Sequence, residues 1–135
     1  MTNKENKKSI DMQINSLEER AKELNCLYKV EEQLNRNDRS FEKILRNIVE
    51  VIPQGFQHPD YCEARVSHDD RYYTTKNFRE TPWMLSAKIK ANDEVYGKIG
   101  VCYTRKFTQA DEGPFLKEER KLINTIADRI GNNIF

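Results

Sequence analysis

The stretch "DEGPFLKEERKLINTIADRIGNNIF", residues 111–135, decides how the chain is read. Two acids, a glycine and a proline stand directly before apolar residues at helical spacing: Phe115, Leu116, Leu122, Ile123, Ile126, Ile130 and Ile134. Asp111 and Glu112 are either a catalytic or metal-binding pair or the entrance to a helix. The helix accounts for every feature. Negative charge near a helix start is favoured by about 0.3–1 kcal/mol per residue. Pro114 fits a first turn, where its missing N–H costs nothing, and Glu118 and Glu119 continue the acidic bias. A catalytic pair would want a nucleophile, base or metal ligand close by, and none stands nearby in sequence. No catalytic residue and no metal site is assigned, and the chain is not read as an enzyme.

The other end of the chain is also periodic. Ile10, Ile14, Leu17, Ala21, Leu24 and Tyr28 are spaced 4, 3, 4, 3, 4, the alternation of a coiled-coil seam. From Leu24 the pattern widens to Leu27, Tyr28, Val30 and Leu34, as if the helix begins to pack on its own domain. We therefore divide the chain into a coiled-coil or linker helix over 1–21 and a domain over 22–135. After "NRNDRS", Ser40 or Asp38 caps a second helix carrying Phe41, Ile44, Leu45, Ile48, Val49 and Ile52 on one face. Pro53 and Gly55 close it.

Between the helical ends the period changes to two. Cys62, Ala64 and Val66 alternate with Glu63, Arg65 and Ser67, a strand with one wet face. Asp69-Asp70 turns the chain into "RYYTT". Trp83, Leu85, Ala87 and Ile89 then alternate with Met84, Ser86, Lys88 and Lys90, and Asn92-Asp93 is a tight-turn pair. In "VYGKIGVCYTR", Val95, Ile99, Val101 and Tyr103 are expected on one side. Gly97 and Gly100 there imply a bulge or a close approach by a helix. The expected fold is α+β: an antiparallel sheet of two hairpins, with the N- and C-terminal helices packed on one face.

Composition narrows the partners. The 135 residues hold 23 Lys+Arg against 22 Asp+Glu, so no basic face for nucleic acid is implied. No apolar run nears the roughly 20 residues of a membrane span, and "MTNKENKKSI" has no apolar signal core. Three widely spaced cysteines, Cys26, Cys62 and Cys102, suit reduced thiols in a cytoplasmic protein. No cofactor is expected.

At this point the residues carry a resemblance. Gly97 and Gly100, then Arg105-Lys106-Phe107-Thr108, Asp111-Glu112 and Ile126-Ala127 resemble the C-terminal half of a GAF domain. The segment from "ELNCLYKVEEQL" to "YCEARV" resembles its first two helices and first strand, so the similarity covers roughly residues 22 to 134. "NFRETPW" and "DEGPFLKEER" are similar to a compact subgroup that precedes sensor histidine kinases or accompanies phosphoenolpyruvate-synthase-like proteins. The resemblance implies a sensory or dimerising regulatory domain, with no reaction of its own, inside a larger signalling protein such as a two-component system. Its partners would be a second copy and an output domain. The segment that forms the pocket lid in ligand-binding members is reduced here to "KNFRETP", and no cyclic-nucleotide signature or chromophore-attachment cysteine is seen.

The interface expected from both periodic ends comprises Ile10, Ile14, Leu17, Ala21, Leu24, Tyr28, Ile126, Ile130 and Ile134. The alternative is a small-ligand or haem sensor, with His58, His68, Cys62, Cys102 and Trp83 as its candidate residues. Cys62 and Cys102 lie on different strands and could face each other. As core residues they need no such role.

Overall fold

A computed structural model describes residues 3–134, and the side chains of 9–134; residues 1, 2 and 135 of the expected boundaries lie outside it. The elements are helix α1 (Asn3–Leu34), helix α2 (Phe41–Val51), strands β1 (Cys62–His68), β2 (Arg71–Thr74), β3 (Met84–Ala91) and β4 (Glu94–Tyr103), and helix α3 (Lys117–Asn132). Two short 3-10 turns, Ile52–Gly55 and Pro59–Tyr61, lead from α2 into β1. The fold is α+β, with one antiparallel sheet in the order β2-β1-β4-β3.

Local chemistry explains most boundaries. Ser40 caps α2: its Oγ accepts from Lys43 N at 3.2 Å. Both hairpins turn on residue pairs with positive φ, Asp69 and Asp70 at 51° and 62°, Asn92 and Asp93 at 50° and 66°. Asn and Asp tolerate that left-handed backbone, which matches the right-handed twist of the flanking strands.

One sheet face carries Cys62, Ala64, Val66, Tyr73, Leu85, Ile89, Ile99, Val101 and Tyr103, all buried. α2 packs on this face against β1 and β2, and α3 against β3 and β4. α1 lies outside them, against α2, α3 and the Ile52–Gly55 turn. Its buried residues, Cys26, Val30 and Leu34, close the core. The opposite sheet face is more open. The crossover from β2 to β3 is laid onto one end of it, where Asn77 N donates to Glu63 Oε1 at 3.0 Å and Arg79 Nη2 to Thr104 O at 2.9 Å.

Three expectations are corrected. α3 begins at Lys117, so Pro114 is not in its first turn. Pro114 sits instead in a turn closed by Phe115 N donating to Glu112 O at 2.9 Å and Glu112 N to Phe115 O at 3.0 Å. Val95 does not share the buried side of β4. A bulge places Ile89 opposite Gly97 but Lys90 opposite Val95, so Tyr96 is inserted and Val95 turns outward, 56% exposed. Finally, of the two readings of Gly97 the bulge is present beside it and the helix approach is not: what crowds Gly97 is β1, because a Cβ there would overlap Ser67 O.

The close helix approach occurs elsewhere, at Gly131 of α3. A Cβ there would overlap the carbonyl oxygen of Lys90 in edge strand β3. About three turns before it, Arg120 Nη1 donates to Ser86 O of the same strand at 2.7 Å. α3 thus shields an edge that would otherwise offer free carbonyls. Gly131→Val should force α3 off β3 and destabilise the chain by about 2–4 kcal/mol, read as a lower urea midpoint. Gly100→Ala is the control: its Cβ would come no nearer than 4.0 Å to Met84 Cε, and the expected change is under about 1 kcal/mol.

Candidate interaction face and the polar joint behind it

α1 is a single helix of 32 residues with apolar side chains on two opposite sides. Toward the domain it turns Glu23, Cys26, Val30 and Leu34, all buried. Away from it run Ile10, Ile14, Leu17, Ala21, Leu24 and Tyr28, all exposed. At about 100° per residue, the two sets point roughly 200° apart. The exposures decide the matter: Leu17 is 69% exposed, Leu24 51% and Tyr28 68%. The widening expected after Leu24 is therefore two faces, not one broad face. Leu24 and Tyr28 stay on the outer seam, and Leu27 packs partly against the core.

The three α3 residues expected at the same interface divide differently. Ile126 and Ile130 are buried in the chain's own core, and Ile134 is half-buried against it. That places the two buried isoleucines between α3 and the rest of this chain, where a second copy does not reach them. α3 and α1 do lie side by side. Asn15, Ser16, Glu19 and Glu23 line one groove with Leu116 and Glu118, and farther along Arg129 Nη1 meets Glu31 Oε1 at 2.7 Å. The two helices therefore run in the same direction.

Asp111 and Glu112 serve the helix start. Asp111 Oδ2 accepts from Lys117 N at 2.9 Å, satisfying one of the free donors at the beginning of α3. Arg120 Nε donates to Glu112 Oε1 at 3.0 Å, and this guanidinium holds the Glu112 carboxyl below the ordinary carboxylate range.

Behind the seam lies a polar joint that sequence reasoning missed. Glu119, 1% exposed, accepts from Leu116 N at 2.7 Å, Gln57 N at 2.8 Å and Tyr103 Oη at 3.1 Å. It ties the start of α3 to the end of β4 and to the segment between the 3-10 turns. Burial raises its pKa, against the pull of those three donors. Glu23 is a second buried acid, its pKa also raised by burial, with Arg20 Nη1 at 3.4 Å from Oε2. A signal for both was available. Glu119 falls in phase with Leu122, Ile123 and Ile126, and Glu23 with Cys26 and Val30, so each acid sits on an inward stripe.

The candidates for ligand or haem binding are not brought together. Cys62 pairs with Tyr103, while Cys102 pairs with Glu63. One residue out of step, the two thiols point to opposite sheet faces and do not face each other. His58 stacks on Phe107 with ring centres 3.8 Å apart, and burial lowers its pKa. His68, at the far end of β1, meets Phe41 edge-on at 5.3 Å. Trp83 packs partly buried against the core. Under the "NFRETPW" crossover the Arg65 guanidinium lies 4.9 Å from the centre of the Phe78 ring. Among the described residues, no group of three or more His, Cys, Asp or Glu is placed to hold a metal ion.

No family model, curated protein or solved structure matches the chain.

Two measurements check this geometry. Cys26, Cys62 and Cys102 are buried, and burial raises all three thiol pKa values, that of Cys26 to about 12. A colourimetric thiol reagent at pH 8 should titrate all three only after denaturant is added; fast labelling of the native chain would contradict the burial. Glu119→Ala should orphan three donors, the Tyr103 hydroxyl fully buried and the Leu116 and Gln57 N–H groups partly so, and cost at least about 2 kcal/mol. The pH dependence carries a sign. The folded pKa of Glu119 lies above the 4.5 of an ordinary glutamate, so the folded chain binds the proton first. Relative to Glu119→Gln, the parent should therefore gain stability as pH falls through the raised pKa, and the difference should level off below about 4.5.

Proposed function

We propose that this chain is a regulatory signalling module. It dimerises through the outer seam of α1 and relays a change through its terminal helices to an output domain. The observation that carries the proposal is the two-sided α1. One helix holds the domain core with one side and leaves a heptad-spaced apolar seam in water on the other. Pairing with a second copy would bury six such positions on each helix, and each large side chain contributes about 1.5–3 kcal/mol when fully buried. The resemblance to GAF domains supports the regulatory part, as does the side-by-side packing of α1 and α3. A sensor for a small ligand or haem is less well supported, because its candidate residues are dispersed.

Light scattering at tens of micromolar should give the mass of a dimer. Leu17→Glu with Leu24→Glu should weaken association at least about 100-fold while leaving a folded monomer that still melts cooperatively, since both side chains are exposed in the single chain; the parent's melting temperature should rise with concentration and the variant's should not. A monomeric parent chain would refute the dimer.

A further inference from the structure

We propose that two copies of α1 pair in parallel and in register, with Ile10, Ile14, Leu17, Ala21, Leu24 and Tyr28 each meeting its own counterpart. This rests on the dimer proposed above and adds its polarity.

The spacing fixes the heptad positions. A step of three leads from a to d and a step of four from d to the next a, so the 4-3-4-3-4 order assigns Ile10, Leu17 and Leu24 to d, and Ile14, Ala21 and Tyr28 to a. The flanking positions follow: Gln13, Arg20 and Leu27 at g, Asp11, Glu18 and Asn25 at e, of which Gln13, Arg20, Glu18 and Asn25 have their facing positions within the same stretch. All four are exposed. In a parallel pair each g residue faces the e residue five positions on in the other helix. Gln13 then meets Glu18, and Arg20 meets Asn25. Both are donor–acceptor pairs, and neither sets like charges together. Arg20 already turns toward Glu23 in its own helix, at 3.4 Å, and needs only to share its guanidinium.

An antiparallel pair sets g against g and e against e. With all six layers overlapped, Arg20 would oppose Arg20 and Glu18 would oppose Glu18, beside the middle of the seam. Like charges placed together at an interface are a standard device against the wrong pairing. The core layers do not choose the polarity: Ile14 at a with Leu17 and Leu24 at d suits two strands, whereas Ile10 stands at d and Ala21 and Tyr28 at a, so the choice rests on the flanking charges.

The domain is compatible with this pairing. α1 meets its own domain on the side opposite the seam, so the two domains would flank the helix pair, both at its Leu34 end.

Cross-linking tests the polarity. Ile10→Cys and Tyr28→Cys are made in separate chains. Both positions are exposed, and the native thiols are buried and do not compete. A disulfide needs the two Cα atoms within about 7 Å. In a parallel pair the two position-10 residues face each other; in the overlapped antiparallel pair they are about 27 Å apart. The expected result is that I10C alone, gently oxidised, converts nearly completely to a covalent dimer. If the parent chain is a dimer by mass but I10C cross-links only when mixed with Y28C, the pairing is antiparallel: the polarity is overturned and the dimer stands. If a dimer forms and neither I10C alone nor the mixture cross-links, another surface is used and both proposals fall. A monomeric mass ends the dimer proposal and this one with it.

Discussion

The carboxylate of Glu119 is where three separately formed parts of the chain are held to one another. Local rules make α3, the β3–β4 hairpin and the run of 3-10 turns, but none of them fixes their mutual position. Two backbone N–H groups and one phenol hydroxyl converge on this side chain, from Leu116, Gln57 and Tyr103. Each would be costly to bury without an acceptor. The arrangement is therefore specified by polar satisfaction as well as by apolar contact: shifting α3 along its axis by one turn would carry Leu116 with it but strand Gln57 N and the Tyr103 hydroxyl. Around the joint the packing is aromatic, with Tyr103 stacked on Phe115 at 4.9 Å and Phe56 edge-on to Phe115 at 6.1 Å. An acid in such surroundings is a specificity device more than a source of stability.

With α3 so fixed, α1 has a defined bed. Lys22 Nζ donates to Gln57 O at 3.3 Å, Lys29 Nζ to Gln54 Oε1 at 2.9 Å, and Arg129 meets Glu31. These contacts begin near Glu19 and run to the end of the helix. Residues 9–18 lie exposed ahead of them. The seam spans both halves, from Ile10 to Tyr28. A partner on the seam would thus bind the free half and the anchored half of one helix at once.

Much of this was legible in the sequence, for identifiable reasons. The strands declare themselves because period-two alternation is hard to produce otherwise: Cys62, Ala64 and Val66 are buried as their spacing requires. Asp69-Asp70 and Asn92-Asp93 mark the hairpins because few residues accept that backbone. Ser40 marks α2 by its hydroxyl. The failures share a different cause. Val95 turned outward because one inserted residue in β4 reverses every side chain beyond it, and no spacing rule locates a bulge. Cys62 and Cys102 seemed able to meet because strand membership was visible but register was not. The start of α3 was placed too early because Glu112 and Phe115 close a turn by pairing with each other, a contact outside helical periodicity. Glu119 and Glu23 were hidden by their charge, which reads as solvated even when the position lies on an inward stripe. The outer seam was visible as a pattern, and what the structure adds is that the chain itself does not cover it.

The two-sided α1 also limits the kind of motion the helix could carry. Turning it about its own axis by a single residue step, about 100°, would lift Cys26 and Val30 out of a close-packed core and drive polar positions in. In the proposed dimer the cost would be felt on both sides at once, since the outer residues would leave the partner's seam together. Axial spin is thus blocked by the same geometry that makes the helix useful. What remains cheap is bending of the half ahead of Glu19, or a small slide of α1 along α3 within the reach of the Arg129–Glu31 ion pair. A mechanical input to this domain would be filtered accordingly: torque is resisted, and tilt passes.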